Sequence, residues 1–243
     1  MKGDLLWVTI VIPAVLAVLM GAIFSLLKRR SRAIAQRREQ MHALAESLGL
    51  RYYGRAGADA LSFLPRFSLL ERGYEKTLSS LMAEDRQPPR LLLFDYEFLH
   101  SARLSGGRHS DLDFPVLYLV AMAALPDTAQ VTAARIYRED WFGGPVGVAG
   151  TYRLDAGGPS RFSRDCLVAG EPREAVRRML TEPVQEAIVN WSPRGPRPVV
   201  EIAPGWVVAH VESDPGDREV ARRASGLLKY ASAIAGRLAE GTA

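Results

Sequence analysis

The chain reads as an α+β protein in which an N-terminal transmembrane helix precedes a mostly antiparallel sheet with helices packed on one face. Three observations predict this. Leu5–Leu27 carries no formal charge. The middle of the chain alternates apolar and polar residues with a period of two, most clearly over Arg90–His100. The last third returns to apolar spacings of three and four, ending in a stripe from Val220 to Leu238. Four segments follow: a short tail over 1–4, the transmembrane helix over 5–27, a basic juxtamembrane helix over 28–44, and a soluble domain over 45–243.

The first helix is argued from length and flanks. At 1.5 Å per residue, Leu5–Leu27 extends about 34 Å, enough for a hydrocarbon core of about 30 Å. Pro13 would remove one helical hydrogen bond, a defect membrane helices tolerate. Trp7 suits the interface at one end. At the other end Lys28, Arg29, Arg30 and Arg32 begin a basic cluster that runs to Arg38. A cleaved signal peptide would have a shorter apolar run with its basic residues ahead of it. The positive-inside rule places the cluster in the cytoplasm, so the expected topology is a single-pass inner-membrane protein, N-terminus out and folded domain in.

The soluble part is read in order. Arg29–Leu48 lacks Gly and Pro and predicts a helix; Ile34, Met41, Leu44 and Leu48 form a narrow seam interrupted at Arg37. That seam predicts a helix resting on its own domain, with a weak homodimer through residues 34–48 as the alternative. Strands are expected at Leu50–Gly54, Phe67–Gly73, Leu78–Ala83 and Arg90–His100, with a helical turn over Ala58–Leu64. In Arg90–His100, Leu92, Phe94, Tyr96 and Phe98 share the core face, and Asp95 and Glu97 share the wet face. Phe114–Leu125 is apolar enough to be covered on both sides. Val131–Arg138 and Val146–Leu154 follow as strands.

Helices come next over Glu171–Leu180 and Glu182–Trp191, with Thr181 as a cap and Pro183 in the first turn. Val199–Ala203 and Trp206–Glu212 flank Pro204-Gly205 and predict a hairpin. The closing helix is expected to start at Asp214 as cap and Pro215 as first residue. In total the pattern predicts about seven to nine strands.

Composition narrows the functions. The 243 residues carry a net charge of +4 and one cysteine, which excludes a disulfide framework. Residues 1–40 hold seven basic and two acidic side chains, so the remainder of the chain stands at −1. Without an overall basic excess in the folded part, nucleic-acid binding is disfavoured. The lone Cys166 agrees with a reducing compartment.

Scattered motifs are similar to those of an uncharacterised family of bacterial single-pass membrane-anchored proteins, a domain of unknown function. They are a helix ending in a Leu-Gly-aromatic strand (Ala45–Tyr53, AESLGLRYY), Phe94-Asp95-Tyr96, Leu125-Pro126, Tyr152-Arg153-Leu154 and Gly205-Trp206. The resemblance covers most of residues 44–239. It implies an anchor with a soluble domain, and supplies no activity, cofactor or catalytic residue.

His109, Asp111 and Asp113 lie together in RHSDLDF, but their spacing matches no established metal loop. Cys166 follows Arg164 and Asp165, where a cation favours the thiolate; a nucleophile there would need a base such as His100, His109 or His210. Asp95 and Glu97 pair on one strand face, an arrangement able to divide acid and base roles. Gly144, Gly147 and Gly150 do not match a phosphate-binding loop. The blander readings (solvated loop, core thiol, wet strand face, bends) are preferred. The expected function is therefore a membrane-tethered cytoplasmic binding or interaction domain for a protein or small ligand, with no catalytic motif, cofactor or metal. The alternative is a membrane-bound hydrolase using Cys166 or the carboxylate pair.

Overall fold

The computed structural model describes residues 12–57, 60, 67–102, 112–127, 129–138, 151–154, 160–191 and 196–241. Helix α1 (Ile12–Leu48) runs unbroken through the boundary expected near residue 44. It stops at Gly49, whose φ of 67° suits glycine, and the Leu50 N–H returns to the Ala45 carbonyl at 2.9 Å. Then follow β1 (Arg51–Gly57), α2 (Ser68–Glu71), β2 (Tyr74–Ala83), β3 (Leu91–Ala102), β4 (Leu112–Ala124), β5 (Ala134–Arg138) and β6 (Thr151–Tyr152). The last third holds α3 (Arg161–Asp165), β7 (Cys166–Gly170), α4 (Arg173–Met179), α5 (Glu182–Val189), β8 (Val199–Ala203), β9 (Trp206–Glu212) and α6 (Val220–Glu240).

The fold is α+β. Among the described residues the strands form one nine-stranded sheet in the order β1-β2-β3-β4-β9-β8-β5-β7-β6, with every pair antiparallel. One face carries a core built with α1, α4, α5 and α6, centred on Met41, Leu93, Leu119, Val176, Leu227 and Ile234. The other carries an aromatic core around Phe67, Leu69, Phe94, Tyr96, Phe98 and Tyr118. There the Phe98 and Tyr118 rings stack with centroids 6.0 Å apart. The apolar stripe of α6 is buried as its spacing predicts, and β4 is covered on both faces from Tyr118 to Ala123, while Phe114 and Pro115 near its start are exposed.

Several local expectations change. Phe67–Gly73 was expected as a strand; Ser68–Glu71 is a short helix there, because its N–H groups meet an acid from β8. The closing helix begins at Val220, not beside Asp214, whose carboxylate instead accepts the Gly216 N–H at 2.6 Å. Thr181 precedes α5 without capping it through its side chain. α3 and β7 were not foreseen. Expected features at Ala58–Leu64 (Ala60 apart), Gly144, Gly147 and Gly150 lie outside the described residues.

Helix α1 has two environments. From Ala14 to Arg32 every residue is exposed, with Val18 at 72% and Phe24 at 68%. From Arg37 onward it turns a face into the domain, where Met41 and Ala45 are fully buried. Met41 and Leu44 of the seam therefore pack on the domain itself, whereas Ile34 is 37% exposed. Among the described residues no helix is long and apolar enough to cross a membrane; residues 5–11 of the expected span, with Trp7, lie outside them.

Candidate functional site

The place where α1 leaves the domain is built around a buried ion pair. Arg37 Nε donates to Asp95 Oδ2 at 2.9 Å and Nη2 donates to Oδ1, a two-pronged arrangement, while Nη1 donates to the Asp214 carbonyl at 2.9 Å. Arg37 and Asp95 are 5% and 1% exposed. This corrects the expectation of a wet face: Asp95 lies on the same side of β3 as Leu93, and that side is roofed by α1. Glu97, two residues on, remains 43% exposed and faces Arg30 at 3.8 Å. The two carboxylates thus occupy different environments. Asp95 is paired with a guanidinium and so clamps the helix to the sheet.

Above this clamp α1 presents Lys28, Arg29, Arg30, Arg32 and Arg38 to solvent. The tertiary structure adds residues from elsewhere at this end of the domain. Phe114, 43% exposed, and Pro115 from β4 line a cavity of about 540 Å³ with Arg29 and Arg30. Pro215, Gly216 and Arg218 border a second, of about 240 Å³, with Arg29 and Arg32. Pro215 also reaches a third, which holds Arg38 and Arg55 beside Asp95 and Glu97.

A second polar constellation lies in the opposite face of the sheet. Glu201 Oε2 accepts the Ser68 N–H at 2.9 Å, and Oε1 accepts the Ser68 hydroxyl at 2.8 Å and the Leu69 N–H at 3.3 Å. His210 Nε2 lies 3.2 Å from Oε1, and Arg135 Nε lies 3.4 Å from Oε2. Burial works against the Glu201 charge, but the His210 hydrogen bond, the nearby cations and Ser68 outweigh it and hold the group at about 2. Burial also depresses His210, against the pull of Glu201, so its ring is neutral with Nε2–H as donor. His210 Nδ1 is then a buried acceptor without a hydrogen bond. The carboxylate stands between Ser68 and His210, so the serine gives its proton to the acid and not to the imidazole. A serine nucleophile needs the reverse order. The cluster pins α2 to the sheet.

A groove of about 1050 Å³ runs between α5 and α6. Trp191 and Tyr230 meet edge-on on its wall at 5.2 Å, and Glu186 and Glu219 share it with Arg222, Lys229 and Arg237.

Of the other expected site residues, Cys166 is wholly buried at the start of β7, where no solvent reaches the thiol. His109 and Asp111 lie outside the described residues, and Asp113 is exposed at the start of β4. Among the described residues no group of three or more His, Cys, Asp or Glu side chains is placed to hold a metal ion. Sequence reasoning missed the roles of Glu201 and His210. Their signal was present: the two-residue turn makes Glu201 oppose Val208, which puts His210 diagonally across from it on the same face.

Fold and site together define a class: an α+β domain with a single antiparallel sheet, entered by a long helix that is apolar and exposed before it becomes buried. No protein-family model, no curated protein and no solved structure matches the chain.

Proposed function

We propose that this chain is a membrane-tethered binding domain, anchored by the apolar part of its first helix, with the N-terminus outside and the folded domain on the cytoplasmic face. The observation that carries the reading is the two-part environment of α1. Ala14–Leu27 is predominantly apolar and exposed throughout, and nothing among the described residues covers it. Water is a poor solvent for such a surface and a bilayer a good one. Cations begin immediately at Lys28, as expected for a cytoplasmic flank. The anchor and the first core element are one helix locked by Arg37 to Asp95, so the domain is held close to the membrane rather than on a free tether. A binding role is favoured over the hydrolase alternative because Asp95 is consumed by Arg37 and Cys166 is sealed in the core.

The test is fractionation and labelling of the full chain. It is expected to resist alkaline carbonate extraction. An exposed cysteine introduced as Glu240→Cys is expected to react with an impermeant maleimide only after the cells are opened. Extraction into the soluble fraction, or labelling on intact cells, would overturn the anchor or the orientation respectively.

A further inference from the structure

Arg218 is far from the basic collar in sequence, yet it borders the same cavity as Arg29 and Arg32. All three guanidiniums are exposed and have no ion-pair partner among the described residues. Gln36 and Gln40 complete the helix side. Arg37 also touches the cavity, but its charge is paired with Asp95 and its Nη1 donates to the Asp214 carbonyl. The acid on the rim, Asp217, is matched by Arg223 at 2.9 Å. Three like charges gathered without counter-charge favour an anion between them, and planar guanidinium forks fit phosphate oxygens.

Depth identifies the anion's source, resting here on the membrane reading above. At 1.5 Å per residue, Arg29 and Arg32 lie about 3 and 8 Å beyond Leu27, within a headgroup layer of roughly 5–8 Å. Arg218 follows the Asp214–Asp217 turn and borders the same cavity as these two arginines. We propose that the cavity between α1 and this turn binds the phosphodiester headgroup of an anionic phospholipid. The cavity on the other flank of α1 holds Arg30, Arg37, Arg38 and Arg55 with Asp95 and Glu97. Arg37 and Arg30 face those two acids, which leaves two cations there against the three unpaired guanidiniums on the Arg218 side, so the larger uncompensated charge, and with it the specific site, falls on the Arg218 side.

The experiment uses the full chain in phosphatidylcholine vesicles doped with phosphatidylglycerol, extracted gently and examined by native mass spectrometry for retained anionic lipid. Arg218→Gln is expected to lower retention about fivefold, the factor that about 1 kcal/mol per basic residue represents. Arg38→Gln, in the same collar, should leave it nearly unchanged. Equal losses in both variants would reduce the site to collar electrostatics and overturn it. Undiminished retention in Arg218→Gln, with the protein still floating with vesicles, would overturn the site while the anchor stands. Failure to float would remove the anchor and the site together. Inorganic phosphate added to the chain in pure phosphatidylcholine should show no Arg218-dependent binding; if it does, the ligand is a soluble phosphate and the lipid assignment fails.

Discussion

Arg37 and Asp95, 58 residues apart, form a buried ion pair with a 2.9 Å hydrogen bond that joins the first helix to the third strand. Taking two charges out of water is costly, and their attraction offsets that cost only while both are present. Asp95→Ala strands a guanidinium in the core. It is expected to lower domain stability by about 3–5 kcal/mol, read from denaturant unfolding followed by tryptophan fluorescence. The double replacement Arg37→Met with Asp95→Leu should recover most of that loss, because no charge is then left unpaired. Equal instability in the single and double variants would show that packing alone carries the joint.

Acid should loosen the domain through Glu201 and His210. The unfolded chain protonates its histidine near 6.5, whereas the buried ring resists, so stability begins to fall as pH drops below that value. Glu201 adds a second loss. Unfolded it takes a proton near 4.5, and folded only near 2, so its contribution is full above 4.5 and disappears between those values. His210→Gln keeps a donor for the carboxylate but cannot titrate. The stability profile of that variant should be flatter between pH 6.5 and 4.5 and should still fall below 4.5. An unchanged upper limb would place the acid sensitivity elsewhere.

Gly73 sits between α2 and β2 with φ at 63°, and a Cβ there would lie 2.5 Å from the Leu99 carbonyl oxygen. Both the backbone angle and the space exclude a side chain. Gly73→Ala is expected to cost roughly 2 kcal/mol or more, measured as a lowered midpoint of thermal unfolding. A neutral result would mean the turn can shift away from β3.

Leu16 is 54% exposed near the middle of the apolar stretch. A lysine at a helix centre in a bilayer costs about 3 kcal/mol on insertion scales. Leu16→Lys should therefore move a substantial part of the chain out of the membrane fraction, and Ser31→Lys, in the basic flank, should not. Equal partitioning of the two variants would count against a spanning helix.

Legibility from sequence followed range. The hairpin of β8 and β9 was readable to the residue, since a two-residue turn determines both its register and its faces. The stripe of α6 was readable because its period is local. By contrast, Arg37 looked like a flaw in an apolar seam and Asp95 like one tooth of a wet strand face. Each was a conflict with its own neighbourhood, resolved only by the other. Likewise Phe67–Gly73 has strand-like composition, but the Glu201 carboxylate collects the first N–H groups of a helix there.

By itself, the order of residues determined the α+β class, the apolar opening helix with its cationic flank, and the faces of elements whose periodicity is set within a few residues. Hydrophobic burial and backbone geometry act at that range, so the signal needs no distant partner. The tertiary structure decided which charges are satisfied and which are not: Arg37 against Asp95, Glu201 among Ser68, Arg135 and His210, and Arg218 beside Arg29 and Arg32. A charge is stable in a protein only with the company it keeps, and chain folding chooses that company from segments that carry no local record of one another.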